Sequence, residues 1–435
     1  MKVQLHYGDS FVGLDIPDTN ISQIIRPWSG DKEVGQALMP NEATACIHKT
    51  DFQNIIAGKR LGVLVPDGTR KLFLERVFAQ VMPTLKKASP ARFFICTGTH
   101  NPDTPENYTI VEQITDTAGG AGLDDFEIHI HDCQKDDFLR AGKTTRATDV
   151  MYNAKIAEND IFLILSDVKV HYFAGYSNPI KNLVPGLCAF RTIEHNHSLA
   201  LDERSTFGLH PWHNNPARRD NPLAADQLEA MRMIVKDRPV YALVTISDSG
   251  RIRWSHFGDA RDVTAEAFDV VDEKNTHTTE VIDRLIVSSG GLPNDIDFYI
   301  AQRALELTKQ PLADGGEVLF LAACPRGIGE EHTMENFYNR LTQPIDKILK
   351  SIEAEYEMFS HKPYKLARMI KSLRRIWMHT QIPDDLIEAA HLWPAHNPQK
   401  VVDTWLAENP DTKITIVDGA NKIALYAKKI ASWSF

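Results

Sequence analysis

Three short apolar runs in the first half of the chain each break off into a loop dense in polar and charged side chains. Leu61–Val65 runs into Pro66-Asp-Gly-Thr-Arg70, Arg92–Cys96 into Thr97-Gly-Thr-His-Asn-Pro102, and Ile161–Leu165 into Ser166-Asp-Val-Lys-Val-His171. Apolar runs of about 4–8 residues bounded in this way read as buried strands. Between the first two, Leu72–Lys87 carries apolar residues at helical spacing. Strand, helix, strand in that order predicts parallel β-α-β units, and so an α/β fold with mostly parallel sheets.

The theme returns in the second half. Arg284–Ser288, Glu317–Ala323 and Lys413–Val417 read as strands, Asp297–Lys309 as a helix, and 334–376 as a long helical region that caps the second domain. The stretch 199–280 is polar and mixed, with a Pro/Asn-rich loop at 208–222 and one more strand at Val240–Ile246. The expectation is two α/β domains. An N-terminal domain spans residues 1–270 and a C-terminal domain spans 282–410, while a strand/helix segment at 411–435 is assigned to neither. The active site is expected in the cleft between the domains, which would close on substrate and exclude water.

Composition narrows the class of function. A length of 435 residues favours two to three domains. The formal net charge of −10 argues against a nucleic-acid partner, which usually calls for a basic stripe. No apolar run approaches the ~18 residues of a membrane span, so no membrane partner is expected. The N-terminus alternates polar and apolar residues, lacks the form of a signal peptide and reads as a first strand. Five scattered cysteines with no C-x-x-C pair signal neither disulfides nor a cysteine zinc site, which fits the cytoplasm.

In a parallel sheet the loops after successive strands share one edge, where open α/β folds place ligands. Asp67, Thr69 and Arg70, then Thr99 and His100, then Asp167, Lys169 and His171 are therefore expected to converge. Arg70 offers the two-pronged fork that matches a carboxylate. His100 and His171 suit proton transfer near neutral pH. Behind the third run, Tyr172, Tyr176, Lys181, His195 and His197 add acid/base and ligand-type groups. A lone Asp after a strand is most often a turn or cap residue; three loaded strand ends together point to a shared site. His195, His197, His210 and His213 match no standard zinc spacing, and a single His ligand to a transition metal is the simpler reading. No G-x-G-x-x-G, phosphate-binding P-loop or G-x-S-x-G elbow is present. Cys96 reads as a buried structural thiol.

The motifs P-D-G-T-R (66–70), G-T-H-N-P (98–102), H-Y-F-A-G-Y-S-N-P-I-K (171–181), L-V-P-G (183–186), N-H-S (196–198), G-G-L-P-N-D (290–295) and F-Y-I-A-Q-R-A-L (298–305) run in order along the chain. Together they resemble the lactate racemase family that uses a nickel-pincer nucleotide. The resemblance implies a pyridinium mononucleotide whose two thio-acyl arms hold nickel through carbon and sulfur, made by cofactor biosynthesis enzymes. It implies that Lys181 tethers the cofactor as a thioamide and that His197 ligates nickel. Asp67, Thr69, Tyr176, Ser177, Pro185 and Gly186 are implied to line the cofactor. His100 and His171 then act as acid/base partners on the substrate hydroxyl, with Arg70 on the carboxylate and Asp67 in the same motif. The implied reaction inverts C2 of a small 2-hydroxy acid: hydride passes to the cofactor and back through a planar 2-keto acid.

Departures from the family pattern bear on substrate choice. The usual S-G-G-x-K before the tether is here Ser177-Asn-Pro-Ile-Lys181, and L-Y-Q-x-Q-K is here Phe298-Tyr-Ile-Ala-Gln-Arg303. By the resemblance Tyr299, Ile300 and Arg303 contact substrate. Ile300 lacks an amide, and Arg303 presents a planar fork where the family has a lysine. Lactate is therefore weighed beside a dicarboxylate such as malate and a sugar acid. Two other readings stand next to the racemase or epimerase: a lyase or dehydratase using both His residues without hydride transfer, and a non-catalytic carrier of the nickel cofactor. The sequence does not give the oligomeric state.

Overall fold

The computed structural model describes residues 1–28, 37–68, 71–248 and 250–428. The chain forms two compact units, Glu33–Val271 and Met1–Lys32 with Asp272–Phe435. Both are α/β, with a six-stranded, mostly parallel sheet in each.

In the first unit the strands lie in the order Arg251–Asp259, Val240–Asp248, Ile161–Asp167, Leu61–Pro66, Ala91–Cys96 and Phe126–Ile130. Only the edge pair Arg251–Asp259 and Val240–Asp248 is antiparallel. Helices cover both faces, which is why the strands read as unbroken apolar runs and not as alternating ones. Val63, Phe93 and Leu163 pack with Phe78, Val81 and Ile114 in one cluster, while their neighbours Leu64, Phe94 and Ile164 are equally buried. From Leu61–Pro66 the chain adds two strands on one side, then returns to add Ile161–Asp167 on the other. The order therefore reverses between Leu61–Pro66 and Ile161–Asp167, and crevices at such reversals are where open α/β sheets bind ligands.

The second unit carries a wholly parallel sheet in the order Trp393–Pro394, Arg375–His379, Leu312–Leu321, Ile282–Ser288, Ile414–Asp418 and Ile21–Ile25. Two placements here differ from the sequence expectation. The N-terminal strands lie in this unit and not with residues 33–271: Ile21–Ile25 pairs with Ile414–Asp418, and Val3, Leu5 and Leu14 pack with Ile286, Leu319 and Trp405. The segment 411–435, left unassigned from sequence, supplies an internal strand of the same sheet at Ile414–Asp418.

Two helical expectations also need correction. Asp297–Lys309 is helical in two pieces, Phe298–Ala301 and Arg303–Thr308, with Gln302 between them. The region 334–376 is broken into Glu335–Asn339, Ile345–Ala354 and His361–Ser372, and Arg375–His379 is a strand. Pro344, which caps Ile345–Ala354, interrupts the first stretch. Ile376 and Met378 alternate into the core and fit the pleat of the sheet. No described helix is long and apolar enough to cross a membrane.

Candidate active site

Asp67 follows the strand Leu61–Pro66 directly, and its carboxylate is largely buried, at 8% exposure. Its Oδ2 lies 2.5 Å from Nδ1 of His100, whose side chain is 58% exposed. A buried carboxylate on Nδ1 fixes the ring so that Nε2 is left as the working nitrogen. The loop is held tightly on both sides. Gly68 N–H donates to Asn107 Oδ1 at 2.9 Å, and a Cβ on Gly68 would lie 2.3 Å from Glu106 Cβ. Gly98 N–H donates to the Gly186 carbonyl at 3.1 Å, joining the His100 loop to the L-V-P-G segment. Thr69 and Arg70 lie outside the described residues.

Across the strand reversal, Ile161–Asp167 leads into a small antiparallel hairpin, Lys169–His171 with Gly175–Ser177. Gly175 sits at φ +76°, and a Cβ there would lie 1.9 Å from the Leu209 carbonyl oxygen. Gly175→Ala should therefore destabilise the protein by more than the ~1–2 kcal/mol of left-handed strain alone. The check is the thermal midpoint; an unchanged value would show that Leu209 yields without cost.

This hairpin presents His171. Ala174 N–H donates to its Nδ1 at 3.3 Å, and Lys181 Nζ lies 2.9 Å from its Nε2. The ring stacks on Tyr172 at 5.2 Å between centroids. Lys181 rides on the one-turn helix Ile180–Leu183. Asn178 accepts from Ile180 N–H in the turn that leads into that helix, and Asn182 Nδ2 ties it to the Leu165 carbonyl at the end of the strand.

His197 comes from the helix Phe190–Ser198. Its Nδ1 donates to the Ile193 carbonyl at 2.9 Å, which makes Nε2 the lone-pair nitrogen. Burial, helped by the nearby Lys181 charge, pushes its pKa down to about 3, so the imidazole is neutral at ordinary pH. Phe173 ties the group together: its ring lies 4.5 Å from His171, 5.5 Å from His197 and 5.6 Å from Lys181 Nζ. Sequence reasoning passed over Phe173. Its place inside the H-Y-F run was the available signal, but an apolar residue there reads equally well as core.

Other expected residues have different surroundings. Tyr176 is fully buried, stacked on Phe268 at 4.1 Å, and its hydroxyl accepts from Arg218 at 2.9 Å. Ser177 is buried at the register position opposite Lys169. Gly186 is packed so that a Cβ would lie 2.2 Å from the Asn182 carbonyl oxygen, and Pro185 precedes it in that segment. His195, His210 and His213 do not form a metal cluster. His195 pairs with Thr148, Trp212 N–H donates to His210, and Asn215 N–H donates to His213. Cys96 is buried, and its thiol is pushed well above its usual range by burial and by the charge of Asp67.

In the other unit, Asp297 caps Phe298–Ala301 by accepting from Ile300 N–H at 2.7 Å. Tyr299 faces a buried lysine that the sequence reading did not single out. Lys362 Nζ lies 3.7 Å from the Tyr299 ring centroid and donates to the Tyr299 carbonyl. Burial, then the charge of Arg303, holds the Lys362 ammonium well below its usual pKa.

Comparison with known proteins settles the family. A model of the lactate racemase N-terminal domain matches residues 7–208, and a model of the lactate racemase C-terminal domain matches 277–424. The chain belongs to the lactate racemase family. Membership makes it an isomerase of the racemase type. It is 22% identical to the lactate racemase of Thermoanaerobacterium thermosaccharolyticum over 97% of this chain and 99% of that one. It is also 22% identical to that of Lactiplantibacillus plantarum, over 86% and 87%. The fold matches the structure of the T. thermosaccharolyticum lactate racemase apoprotein with a TM-score of 0.83, at 19% identity, covering 98% of this chain and all of that one. A structural-genomics protein from Thermotoga maritima matches with a TM-score of 0.66 at 14% identity, over 91% and 99%.

Proposed function

We propose that this member of the lactate racemase family inverts C2 of a 2-hydroxy acid with the aid of a nickel-pincer nucleotide. The observation that carries the reading is the group around Phe173, where an amine and two imidazoles meet and one imidazole is held neutral by burial. The donor set fits the cofactor. A neutral imidazole nitrogen suits nickel, and Lys181 offers an amine for a covalent tether. When bound, the cofactor supplies an acceptor that takes the C2 hydride and returns it to either face of a planar 2-keto acid.

The chain's own residues do the rest. His197 holds the metal through Nε2 and Lys181 anchors the nucleotide, with Thr69, Tyr176, Ser177, Pro185 and Gly186 framing it. Arg70 grips the substrate carboxylate while the remainder turns. His100 and His171 take and return the hydroxyl proton, and Asp67 keeps His100 in the useful tautomer. Tyr299, Ile300 and Arg303 choose the substrate. Arg303 presents a guanidinium fork, and Lys362 adds a buried amine beside Tyr299 whose charged form is disfavoured; the Arg303 fork favours a second carboxylate or a polyhydroxy tail over the methyl of lactate.

A C2-deuterated substrate tests the reaction. Deuterium retained in the inverted product is expected, because the hydride returns to the carbon it left. Washout into water would mean proton abstraction at carbon and would overturn hydride return. Single enantiomers and epimers of lactate, malate and sugar acids then assign the substrate.

A further inference from the structure

A second set of ligand-type side chains lies at the end of the strand Phe126–Ile130, outside the group just described. His129 Nε2 and His131 Nδ1 lie 3.0 and 2.6 Å from one oxygen, Asp136 Oδ2. The three ligand atoms all fall within 4.8 Å of one another. His129 and His131 are two apart on extended backbone, so their side chains share a face. Asp136 returns to them through the turn that follows. The backbone N–H of Asp132 and the side-chain amide of Asn153 also donate to Oδ2, at 3.0 and 2.6 Å. Asn153 Nδ2 lies 2.9 Å from His129 Nε2 and 3.3 Å from His131 Nδ1, while its Oδ1 accepts from Lys155 N–H.

His131 decides how this cluster works. Its Nε2 lies 3.0 Å from the Cys188 carbonyl oxygen. A carbonyl only accepts, so Nε2 carries the proton. In a neutral ring Nδ1 is then a lone pair aimed at a carboxylate oxygen 2.6 Å away. Two lone pairs that close need a cation between them, either a proton or a metal ion. A divalent ion leaves the imidazoles neutral and the carboxylate ionised, which are the states a metal requires of them. A remote ring nitrogen on a backbone carbonyl is also the usual support for a ligating histidine.

We propose that His129, His131 and Asp136 form a binding site for a divalent transition-metal ion of the zinc type, separate from the Lys181–His197 group. Two imidazoles and one carboxylate suit zinc and its neighbours and not calcium or magnesium, which take oxygen ligands. The site has a structural consequence. The His131 carbonyl accepts from Thr97 Oγ1 at 2.6 Å, at the base of the loop that carries His100. The His131 ring holds Cys188, two residues beyond Gly186. An ion here braces both loops at once.

The test uses the full-length chain stripped with a chelator and titrated with zinc and, in parallel, cobalt(II). Expected are one zinc per chain by elemental analysis after gel filtration, visible cobalt absorption bands, and a zinc-dependent rise in thermal midpoint of several degrees. His197→Ala should retain all three signals. His129→Asn, which alters the more exposed ligand, should lose the bound metal and the rise while its metal-free midpoint stays near that of the stripped parent. If His129→Asn does not fold, Asp136→Asn serves in its place. No zinc bound at micromolar free metal, or one zinc per chain that survives in His129→Asn, overturns the proposal.

Discussion

Lys181→Ala yields a folded chain with no cofactor adduct and no nickel, and its activity falls to background, a loss of at least ~10⁶-fold. So large an effect is expected because a cofactor carries the difficult chemistry while the protein binds and orients it. The scaffold should survive the change. Asn178 and Asn182 hold the helix Ile180–Leu183 through their own side chains, and alanine is a good helix former. The measurement is peptide mass spectrometry with nickel analysis on protein made beside a cofactor biosynthetic system, with the unaltered chain as control. Lys181→Arg sharpens the result. It keeps a positive charge near His171 but has no amine to acylate, so it should be as inactive as Lys181→Ala. Full activity in Lys181→Arg would mean that charge, not a covalent tether, is what the site needs. An unmodified Lys181 in the active parent would shift the assignment to a cofactor held without a bond.

The parts of this molecule visible in its sequence are those fixed by local order. Each apolar run became a parallel strand because burial on both faces leaves no room for polar alternation. The loaded strand ends fell on one sheet edge because parallel strands all point the same way. Asp67 with His100 could be grouped for that reason, and His171 with Lys181 because they are close in the same segment. Long-range pairing was not legible. Ile21–Ile25 looks like any half-buried strand, and only its ladder with Ile414–Asp418, nearly four hundred residues away, puts it in the second unit. Density of histidines along the chain is a poor guide to where ligand atoms meet. In the dense run from His195 to His213, His195, His210 and His213 each hydrogen-bond to a different partner and do not gather. The sparse pair His129 and His131 gains its third group, Asp136, only when a turn folds back. Lys362 went unnoticed because nothing in a helical stretch announces that its ammonium will be buried against the Tyr299 ring.

His100→Ala keeps the cofactor and loses turnover by about 10²–10⁴-fold, the usual cost of removing a general acid or base. Nickel content and the Lys181 adduct should match the parent, because His100 reaches the site from a different loop than Lys181 and His197. That contrast separates a proton-transfer role from a binding role: Lys181→Ala loses cofactor and rate together, His100→Ala only rate. Asp67→Asn probes the same contact from its buried side. The amide oxygen can still accept from Nδ1–H, but the negative charge that steadies a protonated ring is gone, and a flipped amide would set the opposite tautomer. Its loss should fall short of that of His100→Ala, with cofactor again in place. Direction of reaction gives the last control. A catalyst cannot move an equilibrium, so kcat/KM must fall by the same factor from either isomer in each variant. Lost turnover with full nickel identifies His100 as a group acting on the reacting hydroxyl. Loss of nickel in His100→Ala would instead make it part of the cofactor's support.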